Sequence, residues 1–391
     1  MRSIMEKDVL LKIDDLHVNI KTDEGTLTAV RGVNLEIKRG ETIGLVGESG
    51  CGKSLTSKAI LGINTANCSA SGRILFNTST ASEENDPIDL LQLKKNGKEI
   101  RAVRGRRISM IFQEPMAAFS PLYTIGHQIN ECTLLHSTKD KVEAKKQTLE
   151  MMKKVGIANA EKRYDQYPHE FSGGMLQRAL IAMALVCKPD LLIADEPTTA
   201  LDVTIQAQIL ELMKSLQKEI GMSILFITHD LGIVAKICDT VAVMYLGKIV
   251  EKAPVHEIFK DPQHPYTKGL IGSVHKIGGP KHEKLFSIEG TVPVALNLPA
   301  GCGFYDRCTK CIDGKCNAQE PELKNLTPTH TVSCWQLEHD ETKAAKSAVA
   351  KSAIAEDAAR ENHGEAAIAE DADSARATAC ENHAKNTEDA K

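Results

Sequence analysis

Residues 46–54, "VGESGCGKS", are the most informative part of the sequence about the fold, because a glycine-rich turn stands there between a strand-like and a helix-like run. Glycines let successive backbone N–H groups converge on an anion, and the N-terminus of the following helix points at the same anion. The pattern Gly47-x4-Gly52-Lys53-Ser54 therefore predicts a phosphate-binding loop, with Lys53 on the β- and γ-phosphates and Ser54 on Mg²⁺. The residues predicted to surround the phosphates are Gly47, Glu48, Ser49, Gly50, Cys51, Gly52, Lys53, Ser54 and Leu55.

A second anionic anchor stands at the end of the apolar run "LLIADE". Asp195, on a buried strand, is predicted to hold the hydration shell of Mg²⁺. Glu196 follows where the strand ends, and is predicted to be the general base that polarises the attacking water. The two motifs together predict a magnesium-nucleotide hydrolase.

A second glycine turn, Ser172-Gly173-Gly174 in "EFSGGMLQR", precedes a long apolar run with helical spacing. Such a turn is typical of another anion-binding helix start. Because the nucleotide of this fold already has its loop, the second turn is best explained if it serves the nucleotide of another subunit. This feature favours a dimerising ATPase over a switch GTPase or a kinase.

The order of elements predicts an α/β fold. Residues 8–46 alternate apolar and polar side chains, which predicts an antiparallel β segment. A strand ending in Gln113 and a polar helical region at 126–163 follow. "DLLIADE" and "SILFITHD" are typical of buried parallel strands, and a hairpin is expected around Leu246-Gly247.

Three regions are predicted along the chain of 391 residues. Periodicity is lost and proline and glycine become frequent from Asp261, so a first domain is placed at 1–260 and an extension at 261–337. The remainder, 338–391, is a low-complexity tail rich in Ala, Glu and Asp that is predicted to be disordered.

The motifs resemble, in content and order, those of the ATP-binding subunits of ABC transporters. "FSGGM", "LLIADE", "ALD" and "THD" carry this resemblance with the phosphate loop, over roughly residues 8–260. "FQEPMAAFSPLYTIGHQI", "QYPHEFSGGM", "ADEPTTALDVTIQAQIL" and "HPYTKGL" are closer still to the oligopeptide/dipeptide importers and their nickel-importing relatives. The resemblance implies an ABC-type P-loop ATPase core with an antiparallel β subdomain, a helical subdomain at about 114–180, and a cysteine-containing C-terminal extension.

The resemblance also implies roles for single residues. Each ATP is expected between Lys53 of one protomer and the Ser172–Gly174 turn of the other. Gln113 is expected to sense Mg²⁺ and the γ-phosphate, and His229 to hold the attacking water. Asp202 is expected to carry signals across the dimer. Many relatives stack an aromatic ring on adenine, and Ile20 stands at that position here.

Five of the eleven cysteines cluster in the extension. Cys302-x5-Cys308-x7-Cys316-x17-Cys334 lies in a stretch without regular periodicity, where metal coordination can replace a missing core. Zinc would accept four such thiolates, and the absence of a metal is a further reading. The family resemblance implies a [4Fe–4S] cluster on Cys302, Cys308, Cys316 and Cys334, with Cys311 as an extra thiol.

The function expected from the resemblance is ATP hydrolysis that energises uptake of di- or oligopeptides through two permease subunits and, indirectly, an extracytoplasmic solute-binding protein. The second ATPase subunit is expected to be a paralogue or a second copy. Import of nickel or another small solute, a soluble ABC ATPase, and a redox-sensing metal module with a vestigial ATPase remain as alternatives.

Charge and hydropathy indicate where in the cell the chain is expected and whether it binds nucleic acid. The formal net charge of −4 gives no sign of a nucleic-acid partner. No apolar run approaches the roughly 20 residues of a membrane-spanning helix, and the N-terminal residues are not typical of a signal peptide. The chain is therefore expected at the cytoplasmic face of the cell membrane, attached through its partners.

Overall fold

The computed structural model describes residues 5–79, 86–199, 201–274, 287–296 and 300–338. Contacts divide the chain into a compact unit, Met1–Cys334, and a second unit, Trp335–Lys391. The predicted tail lies outside the described residues from position 339 onward. No helix of the described residues is both long and apolar enough to span a bilayer.

The strands of the described residues are β1 (Val9–Thr22), β2 (Gly25–Lys38), β3 (Thr42–Val46), β4 (Cys68–Phe76), β5 (Ile88–Asp89), β6 (Ile108–Ile111), β7 (Leu191–Asp195), β8 (Ser223–Thr228), β9 (Thr240–Tyr245), β10 (Lys248–Pro254), β11 (Lys324–Asn325) and β12 (Thr331–Val332). The α-helices are α1 (Lys53–Leu61), α2 (Lys98–Val103), α3 (Pro115–Ala118), α4 (Ile125–His136), α5 (Lys141–Lys154), α6 (Ala160–Tyr164), α7 (Gly173–Leu185), α8 (Val203–Ile220), α9 (Leu231–Ile237), α10 (Val255–Lys260) and α11 (Pro265–Gly272).

The larger sheet has eight strands in the order β11-β12-β10-β9-β3-β8-β7-β6. β3 pairs in parallel with β8 and β9, and β7 pairs in parallel with β8 and β6. Every residue of β3, β7 and β8 is buried, as in parallel sheets covered on both faces. The glycine loop therefore leaves the carboxyl end of an interior strand.

The smaller sheet is antiparallel, in the order β2-β1-β4-β5. The prediction of one antiparallel segment at 8–46 is wrong for its last part, because β3 joins the parallel sheet. Its five residues are all buried, whereas β1 mixes buried positions with half-buried and exposed ones. The predicted hairpin at Leu246-Gly247 is confirmed, since β9 and β10 pair across it.

Helices α3 to α7 occupy the region predicted to be the helical subdomain. Their apolar faces share one core with the parallel sheet, through side chains such as Ile129, Met152 and Leu180. The predicted strand ending at Gln113 stops at Ile111, so Gln113 lies two residues beyond β6.

The extension packs on the same unit as the ATPase core. β12 pairs with β10, and the buried Glu251 carboxylate of β10 accepts hydrogen bonds from the backbone N–H groups of Gln263 and His264, at 2.7 and 2.9 Å. His330 Nε2 lies 2.8 Å from the same carboxylate. A buried carboxylate is stable only when partners satisfy it, so Glu251 ties three segments together. The division at residue 260 stays a prediction, because the compact unit runs across it.

Candidate nucleotide site

The glycine loop follows β3 in a backbone shape that side chains would obstruct. Gly47 has φ 156° and Gly52 has φ 104°, both in the region that favours glycine. A Cβ atom at Gly47 would lie 2.1 Å from the Met244 carbonyl oxygen, and one at Gly52 would lie 2.5 Å from that of Ala29. The loop is therefore packed against neighbouring backbone on its inner side.

Lys53 begins α1 and is buried in the loop. Its Nζ donates hydrogen bonds to the carbonyl oxygens of Gly47 and Glu48, at 2.7 and 2.9 Å. Gly52, the residue before α1, provides no side-chain cap, so the helix start is left to its backbone N–H groups. The Lys53 ammonium group and the backbone N–H groups at the uncapped start of α1 lie at one loop, and together they are suited to bind a polyphosphate.

Ser54 and Asp195 come together at the end of the parallel strands. The Ser54 hydroxyl donates to Asp195 Oδ1 at 3.0 Å. Burial raises the pKa of the Asp195 carboxyl, while the Ser54 hydrogen bond lowers it. A bound cation would favour the charged carboxylate, and a hydroxyl beside a carboxylate is the oxygen donor set that Mg²⁺ prefers. These two residues therefore fit the predicted magnesium site.

Glu196 is the centre of a second polar group. It follows β7 with φ 48°, a left-handed conformation that non-glycine residues rarely adopt outside functional sites. Gln113 Nε2 donates to its Oε2 at 3.1 Å, and His229 Nδ1 lies 3.2 Å from its Oε1. The hydroxyl of Thr199, a residue that the sequence reasoning missed, donates to Oε2 at 3.0 Å. The three predicted catalytic side chains thus meet at one carboxylate.

The second glycine turn is exposed at Ser172 and Gly173 and half-buried at Gly174. The Ser172 hydroxyl accepts a hydrogen bond from the Met175 N–H at 3.4 Å and so caps α7. A Cβ atom at Gly173 would meet nothing within 4 Å, and one at Gly174 would lie 3.0 Å from the Ile205 side chain. Asp202 caps α8 by accepting from the N–H groups of Thr204 and Ile205.

The other predicted loop residues have distinct settings. Ser49 and Gly50 are exposed at the tip, Leu55 is half-buried in α1, and Cys51 is buried. Burial is the main reason that the pKa of the Cys51 thiol is raised. Ile20 lies on β1, opposite Leu27, and is half-buried.

Glu48 has two partners that the sequence did not reveal. Arg307 donates to both of its carboxylate oxygens, at 2.6 and 3.0 Å. The hydroxyl of Tyr266 accepts a hydrogen bond from the Glu48 N–H at 2.9 Å. The sequence pointed to these two residues only through their neighbours: Tyr266 belongs to the motif "HPYTKGL", and Arg307 precedes Cys308 of the cysteine cluster.

The cysteines of the extension do not form the predicted metal centre in this structure. Within the described residues, which include Cys302, Cys308, Cys316 and Cys334, no group of three or more His, Cys, Asp or Glu side chains is arranged to hold a metal ion. Burial raises the pKa of the Cys302 thiol to about 11. The iron–sulfur prediction therefore gains no support from the geometry, although thiol is the right donor chemistry for it.

Comparison with known proteins identifies the class. Residues 30–199 match the family described as ABC transporter. The dipeptide transport ATP-binding protein DppD of Bacillus subtilis is 49% identical over 333 residues, which cover 85% of this chain and 95% of that relative. The chain therefore belongs to the ABC transporter family.

The C-terminal part of the chain matches a more specific family within the ABC transporters. Residues 250–316 match the family described as oligopeptide/dipeptide transporter, C-terminal region. The oligopeptide transport ATP-binding protein OppD of Bacillus subtilis is 49% identical over 338 residues, 85% of this chain and 90% of that relative. Both relatives thus span the extension as well as the ATPase core.

Solved structures of ATP-binding cassettes share the fold. A dimeric post-hydrolysis state of the cassette MJ0796, bound to ADP and Pi, matches with a TM-score of 0.54 and 25% identity, covering 63% of this chain and 99% of that one. The cbiO1 structure from Clostridium perfringens, part of the ABC transporter complex cbiONQ, matches with a TM-score of 0.53 and 32% identity, covering 65% and 92%. The predicted α/β cassette fold is confirmed.

Proposed function

We propose that this chain is an ATP-hydrolysing subunit that energises uptake of di- or oligopeptides through membrane partners. The observation that carries the proposal is the convergence of Gln113, Glu196 and His229 beside the Lys53–Ser54–Asp195 group. The named relatives are peptide transport ATP-binding proteins, and they extend over the C-terminal region. This supports peptides as the solute class in preference to nickel.

The loop side of the site binds the nucleotide. Lys53 and the N-terminal N–H groups of α1 take the β- and γ-phosphates, since they supply charge and hydrogen-bond donors at one place. Ser54 and Asp195 would hold Mg²⁺, together with Gln113. When bound, the ion offsets the charge of the phosphate oxygens.

Glu196 acts on the attacking water. Its carboxylate accepts the proton of that water, and the Gln113, Thr199 and His229 contacts fix its orientation before substrate arrives. His229 stays exposed and close to Glu196, so it can hold the γ-phosphate and the water together. The products are ADP and phosphate.

The Ser172–Gly174 turn completes the site of a second ATPase subunit. Its exposure supports this role, as does the open space around Gly173. ATP binding then closes the pair of subunits and hydrolysis opens it, which drives the permeases between their two access states. The pair consists of this chain and a paralogue, or of two copies of this chain, and it lies at the cytoplasmic face of the membrane.

Reconstitution tests the proposal. The chain should co-purify with two hydrophobic permeases and a second ATPase subunit, and the complex in proteoliposomes should take up dipeptides when MgATP is present. A matched complex with Glu196→Gln should bind ATP without uptake. Uptake of nickel instead of peptide would contradict the solute class, and uptake that persists in the variant would contradict the general-base role.

The [4Fe–4S] cluster is a separate prediction that rests on the resemblance to the dipeptide-type ATPase subunits, whose cysteine pattern Cys302, Cys308, Cys316 and Cys334 match. Anaerobically purified chain would show iron and sulfide in equal amounts and absorbance near 400 nm that is lost in air. Chain with zinc at one ion per protomer, or with no metal, would remove the cluster from the account. The ATPase proposal does not depend on the result.

A further inference from the structure

Side chains of three residues, Lys53, Tyr266 and Arg307, contact Glu48, the second residue of the glycine loop. Its carbonyl oxygen accepts from Lys53 Nζ at 2.9 Å, and its N–H donates to the Tyr266 hydroxyl at 2.9 Å. Its carboxylate receives two hydrogen bonds from Arg307. Only the first contact comes from the loop motif, since Tyr266 and Arg307 belong to the C-terminal extension.

Arg307 is fixed before it reaches the loop. Its side chain is 7% exposed, its Nε donates to the Glu289 carbonyl oxygen at 2.9 Å, and its Nη2 donates to that of Gly290 at 3.2 Å. The guanidinium also lies over the rings of Tyr245 and Phe304. A planar guanidinium with five donors is suited to such a fixed fork, and it loses little freedom on contacting a carboxylate.

Tyr266 is equally constrained. It is fully buried on α11, and its ring centroid lies 4.7 Å from that of Tyr245 and 5.4 Å from that of Phe304. Phe304 stands three residues before Arg307, so one aromatic cluster supports both contacts to Glu48. The loop and the extension therefore share a single rigid support.

We propose that Arg307 and Tyr266 are positioning residues that hold the glycine loop in its ATP-binding shape, so that the docked extension sets the affinity for nucleotide. This proposal rests on the proposed ATP-binding function and adds regulation of the same site by the C-terminal extension. Neither residue touches the phosphates in this account. Tyr266 holds the Glu48 N–H and Arg307 holds the Glu48 carboxylate, and together they fix the Glu48 carbonyl oxygen that accepts from Lys53.

Loss of Arg307 should weaken ATP binding for two reasons. The loop would lose preorganisation, so ATP binding would have to order it. The Glu48 carboxylate would also be left unpaired in a loop that receives a triphosphate, which repels it. Both effects act on binding, so the KM for ATP should rise while kcat at saturating ATP stays within about twofold.

The test measures binding of Mg²⁺ with mant-ATP, a fluorescent ATP analogue, to the purified full chain. Arg307→Ala should raise Kd about tenfold, Tyr266→Phe about threefold, and Arg307→Lys should fall between, because lysine cannot donate in a bidentate fork. Glu320→Ala is the matched control, since Glu320 pairs the extension with Arg31 and Lys248 but not with the loop. Its Kd should stay within about twofold of the unmutated chain's.

A double-mutant cycle isolates the ion pair. Glu48→Gln and Arg307→Ala should each weaken binding, and the double variant should be no weaker than the worse single one. Additive effects, an unchanged Kd for Arg307→Ala, or equal weakening by Glu320→Ala would overturn the proposal. If Arg307→Ala does not fold, Glu48→Gln and Tyr266→Phe give the same decision with Arg307 intact.

Failure of the ATPase proposal would look different. In that case the unmutated chain would not bind mant-ATP, or Lys53→Ala would bind it as tightly as the unmutated chain. Neither result depends on Arg307.

Discussion

The two glycine turns of this chain differ in what surrounds them. The loop at 47–54 is packed against the Ala29 and Met244 backbone and is held by Tyr266 and Arg307. Ser172 and Gly173 of the second turn are exposed, Gly174 is half-buried, and the Ser172 hydroxyl caps the helix that the turn begins. A loop that is held by contacts within its own chain can bind a ligand by itself, whereas an exposed turn fits a site that another chain completes. The predictions below test that division.

The largest effect is expected at Glu196. Glu196→Gln removes the proton acceptor, so ATP turnover should fall by roughly 10²–10⁴-fold while ATP binding is retained. Phosphate release measured in the reconstituted complex checks this. Glu211→Gln, an exposed carboxylate on α8, is the matched control and should leave turnover unchanged. Turnover that survives in Glu196→Gln would move the base elsewhere.

Substitutions at Lys53, in the glycine loop, and at Ser172, in the second turn, should have different effects on MgATP binding. Lys53→Ala should weaken MgATP binding to the isolated chain about 100-fold, because charge-assisted contacts to phosphate are worth roughly 3 kcal/mol. Ser172→Ala should leave this binding within about twofold and cost about 1 kcal/mol of stability through the lost helix cap. Isothermal titration gives both affinities. Equal losses would mean that one chain uses both turns on one nucleotide.

Substitutions at Gly52, in the glycine loop, and at Gly173, in the second turn, should have different effects on the free energy of unfolding. Gly52→Ala should lower the free energy of unfolding by about 1–3 kcal/mol, because its φ is positive and the Cβ would strike the Ala29 carbonyl oxygen. Gly173→Ala should change it by less than about 0.5 kcal/mol, because its Cβ would meet nothing within 4 Å. Urea unfolding of the full chain measures both.

The same Gly173→Ala variant should still lose ATP turnover by at least about tenfold, since in the proposed pair of subunits the added methyl would face the partner's nucleotide. A variant that is stable and fully active would show that no ligand approaches this turn. A variant that is unstable would show that the turn is packed within its own chain after all.

The smallest effect concerns pH and the support behind the loop. Burial lowers the pKa of His264 to about 3, with Lys268 acting in the same direction. A lowered folded pKa contributes stability that is present above the ordinary value of 6.5 and is lost as pH falls toward 3. The loss should approach about 1.4 kcal/mol per pH unit below 6.5.

His264→Asn keeps an acceptor for the Tyr266 N–H and removes the titration. Its free energy of unfolding should therefore fall less than that of the unmutated chain between pH 6.5 and 5.5. Glu251, Glu257 and His330 lie nearby in both proteins, so their contribution cancels in the difference. Parallel curves would show that His264 takes up its proton without unfolding cost.

The sequence was sufficient for motifs that lie within one element and its flanking turn. "LLIADE" and "SILFITHD" predicted buried strands that carry Asp195, Glu196 and His229 at their ends, and β7 and β8 have that form. It was misleading at Thr42–Val46, because a short apolar run after an alternating segment does not reveal which sheet it joins. It was silent on Arg307 and Glu48, which lie 259 positions apart, because pairing over such a distance is decided by tertiary packing.

Light scattering of the Glu196→Gln chain in solution, with and without MgATP, alone and with a second ATPase subunit, measures directly whether two chains pair around the nucleotide. A nucleotide site shared by two subunits requires pairs that form only with MgATP and dissociate when the nucleotide is removed, and it requires that Gly173→Ala abolishes these pairs. Chains that stay single under every one of these conditions would contradict it.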